Sequence, residues 1–216
     1  MNIFYLLAMS EEKIYISYNN IHKLCQKIAK QILEREERPD VIIAITGGGM
    51  IPARIIRSFL KVQGQKNIPI QAIGLSLYED LGLGNTADVI GKEVIRTQWL
   101  DFGALDQHFD SLIGKKVLIV DEVDDTRTTL HYAVTELQKE VEEQQKRLNR
   151  LNEDTIFSIF VLHNKDKKKR AQLPAEMMDS GRYLAALTVP DKWLCYPWEA
   201  QDIEEHTILA KQQGND

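Results

Sequence analysis

Val117-Leu118-Ile119-Val120-Asp121-Glu122-Val123-Asp124-Asp125-Thr126-Arg127-Thr128-Thr129-Leu130 runs from an apolar stretch into acids and then hydroxyls. Val117 to Val120 is apolar without alternation, the pattern of a strand covered on both faces in a parallel sheet. The strand is expected to start at Lys115 and Lys116 and to end at Asp121. From Thr128 the period changes: Leu130, Val134, Leu137 and Val141 recur at helical spacing, which marks a helix with one buried face. The turn between them is a strand-to-helix loop at the carboxyl end of a strand, where open α/β sheets bind ligands.

Free backbone N–H groups at a helix start favour an anion, and Thr126, Thr128 and Thr129 add hydroxyl donors beside them, so a phosphate monoester suits this loop. The acids ask for something else. Asp121, Glu122, Asp124 and Asp125 crowd negative charge, which is costly unless they meet hydroxyls, a cation or a proton in transit. Sugar hydroxyls, a magnesium ion and one general acid/base account for them. A capping role for Asp124, with the other acids solvated, accounts for the residues singly but not for the whole pattern.

Outward from this stretch, His22, Leu24, Cys25, Ile28, Ala29, Ile32 and Leu33 form a helical apolar stripe that ends in charged residues before Pro39. Val41 to Ile45 reads as a buried strand leading into Gly47-Gly48-Gly49, with Pro52 in the first turn of a helix through Leu60. Ile68 to Leu75, Thr155 to Leu162 and Tyr183 to Val189 read as further strands. Alternation of strand and helix implies an α/β fold with mostly parallel pairing. Gly82 to Gly91 has the composition of a mobile loop. Glu136 to Asn152 reads as an exposed extension of the helix, with Glu142 and Lys146 suitably spaced to pair.

A length of 216 residues with 44% hydrophobic content suits one well-covered domain, taken as 13–216 after a disordered tail at 1–12. A net charge of −5 argues against nucleic acid as a general partner. Cys25 and Cys195 show neither metal-ligand spacing nor a disulfide framework, which points to a reducing compartment, the cytoplasm. No apolar run approaches the roughly 20 residues that span a bilayer, so no membrane partner is expected. Ile3 to Ala8 is too short and lacks a preceding basic residue for a signal peptide.

The signature resembles the phosphoribosyl-diphosphate (PRPP) motif of type I phosphoribosyltransferases, a hydrophobic strand, an acidic pair and Asp-Thr-x-x-Thr. From about Ile16 to Glu205 the chain is similar to the purine members of that family, through Tyr15-Ile16-Ser17-Tyr18-Asn19-Asn20, Ile45 to Arg54, Leu75 to Asp80, Arg96 to Trp99 and Val189 to Trp193. Thr46-Gly47-Gly48-Gly49-Met50 and Ile73-Gly74-Leu75 are similar to the xanthine rather than the hypoxanthine-guanine type.

The resemblance implies a mostly parallel sheet flanked by helices, with a small hood built mainly from about 165–205, and a homodimer that takes PRPP and a 6-oxopurine. By the same resemblance Asp121 and Glu122 hold the ribose hydroxyls, directly or through magnesium, and Glu199 holds a second magnesium through water. Asp125 is the general acid/base near N7 of the purine, and Asp125, Thr126, Arg127, Thr128 and Thr129 wrap the 5′-phosphate. Thr46, Gly47 and Gly48 form the pyrophosphate loop, with Gly47-Gly48 matching the family's non-proline cis peptide. Ser76, Leu77 and Tyr78 belong to the flexible lid. Lys165 meets the purine O6, Trp193 stacks on the ring, Leu194 meets the C2 substituent and Trp198 packs behind. The remaining basic residues after Lys165 are left to solvent.

Two departures stand out. Arg127 replaces the family's usual glycine, which implies either an altered loop shape or a guanidinium that reaches the phosphate. Gly47 stands where many relatives have a lysine or arginine, so Arg54, Arg57 and Arg96 are the candidates for the missing positive charge. A regulator that keeps the PRPP fold without catalysis is the rival reading, and it calls for a basic nucleic-acid face that the sequence lacks. An aspartyl phosphatase needs acids two apart before a threonine, a spacing that Asp121, Asp124 and Asp125 do not have.

Overall fold

The computed structural model describes residues 13–78, 93–100 and 111–216. The tail at 1–12 and the loop at 82–91 lie outside them.

β2 (Val41–Ile45), β3 (Ile70–Tyr78), β5 (Lys116–Asp124), β6 (Ile156–Asp166) and β7 (Tyr183–Pro190) pair in parallel. With β4 (Glu93–Gln98) at one edge they form a six-stranded main sheet in the order β4-β3-β2-β5-β6-β7. Every residue of β2 is buried, as its unbroken apolar run requires when helices cover both faces. One face carries α1 (Tyr18–Glu34) and α2 (Met50–Phe59), whose Ile21, Ile28, Ala53 and Ile56 meet Leu118 and Val120. The other carries α3 (Thr128–Leu148), whose Leu130, Val134, Leu137 and Val141 meet Val117 and Ile119.

β4 pairs antiparallel with β3 and is a strand that the sequence reading does not contain. Val94 to Gln98 are half-exposed or exposed, and an edge strand with so little burial leaves no apolar run to read. α3 closes at Asn149 in the left-handed region, and Val141 and Gln144 stay buried, so its far turns are less exposed than their charge suggests. Ion pairing on it joins Lys139 to Glu136 at 2.8 Å.

A second, two-stranded parallel sheet joins β1 (Lys13–Tyr15) to β8 (Trp193–Cys195). α4 (Ala175–Asp179) precedes β7, a 3-10 turn (Pro197–Glu199) follows β8, and α5 (Ile203–Gln212) closes the chain. His206 of α5 meets the carbonyl of Ile16 at 2.9 Å, so the last helix is tied to the chain just after β1.

Candidate active site

β5 runs to Asp124, beyond the expected end at Asp121, because β6 continues beside it: Asp121 pairs with Val161, Val123 with His163 and Asp124 with Asn164. Asp121, Glu122 and Asp124 therefore sit on a ladder-held strand end, with Asp125 in the turn just after it. Asp121 is buried, and burial together with the neighbouring Glu122 charge raises its carboxyl well above the usual range. Its Oδ1 accepts the Glu122 N–H at 3.0 Å.

Two cavities meet here. The larger, about 370 Å³, is lined by Thr46, Ser76, Asp121, Glu122, Asp125, Thr126, Arg127 and Thr129 among others. A smaller one, about 190 Å³, is lined by Glu122, Val123, Asp125, Lys165, Trp193, Leu194, Tyr196 and Glu199. Glu122, Val123 and Asp125 belong to both, so a ligand that fills the two would cross the chain at Asp125. The side chains of Leu77 and Tyr78 lie outside the described residues, as do Glu79 and Asp80.

The glycine loop needs its glycines for different reasons. Gly47 has φ +98°, a left-handed backbone open only to glycine at low cost, with free space where a Cβ would be. A Cβ on Gly48 would collide with Glu122 Cδ, and one on Gly49 would lie 2.6 Å from the Ile45 and Val120 carbonyl oxygens. The glycine loop thus packs directly on Glu122. All described peptide bonds are trans, so the Gly47-Gly48 bond does not take the cis form and positive φ at Gly47 turns the chain instead.

Arg127 keeps the loop shape of the glycine it replaces. It adopts φ +70°, the left-handed shape that a glycine would take there. Its guanidinium turns inward, with Nε and Nη2 each 2.9 Å from Asp124 Oδ2, and lies 4.9 Å from the centre of the Tyr183 ring. The Tyr183 hydroxyl donates to the same oxygen at 2.6 Å, while burial and then Asp124 push that phenol's pKa upward. Asp124, whose side chain has no solvent exposure, is the fixed centre of this cluster. Nothing in the sequence assigns Asp124 such partners, because Tyr183 lies on β7, two strands away.

Of the basic residues after Lys165, Lys168 and Arg170 are exposed as expected, but Lys167 and Lys169 are not left to solvent. Lys169 Nζ donates to the carbonyls of Asp124, Asp125 and Lys165 at 2.7, 2.9 and 2.9 Å, and burial lowers its pKa. Lys167 Nζ lies 2.8 Å from Asp125 Oδ1 and 3.0 Å from Asp191 Oδ1. Burial pulls the Lys167 ammonium down, but Asp125 and Asp191 outweigh it and the net shift is upward. Lys165 Nζ stands 3.6 Å from Asp125 Oδ2 and faces the smaller cavity. Lys165 lies on β6, and Lys167 and Lys169 follow just beyond the strand end at Asp166.

Trp193 is 65% exposed, which excludes a core role for its indole. Leu194 beneath it is buried. Trp198 stacks on Tyr196 with ring centres 4.6 Å apart, in the supporting position expected of it. Arg54 bonds Ser58, and Arg96 pairs with Glu136 at 2.6 Å while lying over Trp99. Among the described residues Arg127 is the one cation lining the larger cavity, so none of Arg54, Arg57 and Arg96 lines it.

A family model described as the phosphoribosyl transferase domain matches residues 17–164. The chain belongs to the phosphoribosyltransferase family. This phosphoribosyltransferase is 82% identical to xanthine phosphoribosyltransferase 1 of Saccharomyces cerevisiae, over 95% of the chain and 98% of that relative. It is 59% identical to the hypoxanthine-guanine phosphoribosyltransferase of Schizosaccharomyces pombe, over 96% of the chain and 98% of the relative. A Neisseria gonorrhoeae protein solved with bound ppGpp superposes with a TM-score of 0.70 at 33% identity, covering 94% of this chain and 97% of that one. The fold is the type I phosphoribosyltransferase fold, a mostly parallel sheet with helices on both faces.

Proposed function

We propose that this phosphoribosyltransferase serves purine salvage, transferring the phosphoribosyl group of PRPP to a 6-oxopurine, with xanthine preferred, guanine second and hypoxanthine third. The observation that carries this reading is the pair of cavities sharing Glu122 and Asp125, one rich in hydroxyls and acids, the other offering an exposed indole, a buried leucine and an ammonium. The first suits a ribose 5-phosphate. The second suits a flat heterocycle, whose stacking on an indole is worth on the order of 1–3 kcal/mol.

In the reaction the bond from the ribose anomeric carbon to pyrophosphate breaks, the bond to the purine nitrogen forms, and Asp125 accepts the proton the ring gives up. Asp121 and Glu122 hold the ribose hydroxyls. Thr126, Thr128, Thr129 and the backbone of Arg127 hold the 5′-phosphate at the start of α3, and Thr46, Gly47 and Gly48 cradle the pyrophosphate. Ser76 belongs to the same wall. Lys165 donates to the purine O6, Trp193 stacks and Leu194 lies at C2.

The acids fit magnesium: burial and then the Glu122 charge raise the Asp121 carboxyl, and a cation would relieve that crowding. No cluster of three or more His, Cys, Asp or Glu forms among the described residues, so Glu122 at one ion and Glu199 at a second would each need substrate oxygens and water to complete the shell. When bound, magnesium neutralises the departing pyrophosphate. We place the enzyme in the cytoplasm as a homodimer.

Base preference rests on C2, where xanthine carries an acceptor, guanine donors and hypoxanthine neither, and a mismatched buried polar contact costs a few kcal/mol. The 82% identity to a xanthine enzyme supports xanthine as the first choice. Competition kinetics with xanthine, guanine and hypoxanthine at limiting PRPP test it: kcat/KM is expected to be highest for xanthine, and a hypoxanthine preference overturns the assignment. Asp125→Asn is expected to lower kcat while purine and PRPP still bind.

A further inference from the structure

Tyr196 lines the smaller cavity, and its hydroxyl donates to the main-chain carbonyl of Glu122 at 3.0 Å. That hydroxyl has one hydrogen. His163 Nδ1, 2.9 Å from the same oxygen, must therefore carry the proton of its own bond and donate to Tyr196. His163 has no solvent exposure, and its Nε2 has no hydrogen-bond partner. A buried histidine with one nitrogen unsatisfied is costly, so its value lies in the bond it makes.

Glu122 is held at two points. Its carbonyl is fixed by Tyr196, while its carboxylate lies against Gly48 so closely that a Cβ there would collide with Cδ. Glu122 also lines both cavities. A shift of the Glu122 peptide therefore moves a carboxylate that faces the ribose side and touches the glycine loop. Tyr196 is itself clamped by Trp198, whose ring is 5° from parallel to it, so the hydroxyl has little freedom to follow such a shift.

We infer that Tyr196 and His163 are positioning residues for Glu122, by which the wall of the purine cavity sets the geometry of PRPP binding, on the substrate assignment proposed above. The mark of this role is an effect on the wrong substrate. A residue that borders the purine should alter purine affinity, whereas one that acts through Glu122 alters the affinity of PRPP.

Tyr196→Phe removes the hydroxyl and keeps the ring and its stack. It is expected to raise the PRPP KM about three- to tenfold, the worth of one neutral hydrogen bond, with a smaller change in the xanthine KM. His163→Leu removes the donor to Tyr196 and is expected to raise the PRPP KM in the same direction but less, while His163→Gln keeps an N–H donor and stays near wild type. The Leu and Gln pair decides the matter should Tyr196→Phe fail to fold. A larger rise in xanthine KM than in PRPP KM, or equal losses in the Leu and Gln variants, overturns the role. Calorimetry of PRPP with magnesium on the full chain separates the two levels. No uptake by wild type overturns the substrate assignment, whereas equal uptake by wild type and Tyr196→Phe overturns the positioning role alone.

Discussion

Arg127 adopts a left-handed backbone, φ +70°, while its guanidinium holds the unexposed carboxylate of Asp124 at 2.9 Å. The two facts oppose each other energetically. A non-glycine residue in that region costs roughly 1–2 kcal/mol, whereas stripping one partner from a buried ion pair costs about 3–5 kcal/mol. Arg127→Gly is therefore expected to lose about 2 kcal/mol of stability, and Arg127→Ala about 1 kcal/mol more because it keeps the backbone cost. Urea unfolding of both variants checks the order; equal losses would show that the backbone cost is negligible.

Adjacent glycines should fail differently. Gly48→Ala meets the end of a side chain, Glu122, which can swing aside, so the fold should survive while PRPP affinity falls about tenfold or more. Gly49→Ala meets the carbonyl oxygens of Ile45 and Val120, which belong to two central strands and cannot yield. A loss of about 3 kcal/mol or more is expected there. Thermal melting and PRPP titration of the pair distinguish the two cases.

Lysines 165, 167 and 169 stand within one cluster yet predict three phenotypes. Lys165→Met should raise the purine KM. Lys167→Met frees Asp125 Oδ1, so kcat should fall about tenfold with little change in melting temperature. Lys169→Met leaves three carbonyls without their shared donor and should cost about 2–3 kcal/mol in stability. Steady-state kinetics beside melting curves sort them; a common loss of stability in all three contradicts the division.

His163 makes stability depend on pH. Burial lowers its pKa from the ordinary 6.5 to about 4, so between those values the unfolded chain binds a proton that the native one refuses. Stability is then fully present above about pH 6.5 and falls as the pH drops towards 4, by about 3 kcal/mol in total. Asp121, whose carboxyl is raised by burial and by Glu122, acts in the opposite sense, since protonation relieves it. The test is the difference between wild type and His163→Gln. The variant should lack the histidine's share of the acid loss, and identical pH profiles would remove His163 as its source.

The core of the site is legible in the sequence. The apolar run at 117–120, the change to helical period at Thr128 and the glycine triplet after Val41–Ile45 are local patterns, and a local pattern reports the burial and backbone geometry of its own segment. Strand ends are less legible: β5 and β6 each run further than their apolar stretches because they support one another, and a ladder belongs to two strands at once.

Sequence by itself thus determined a parallel α/β sheet with an acid-and-hydroxyl loop at a strand end, since chain order dictates which turns lie at carboxyl edges. Tertiary structure alone decided that Arg127 serves Asp124, that Lys167 grips Asp125 and that His163 reaches Glu122 through Tyr196. Those contacts depend on the register of β5, β6 and β7 and on the turn after β8, and the side chains involved carry no periodic signal of their own. Electrostatic partners are chosen by distance in space, and only the folded chain defines that distance.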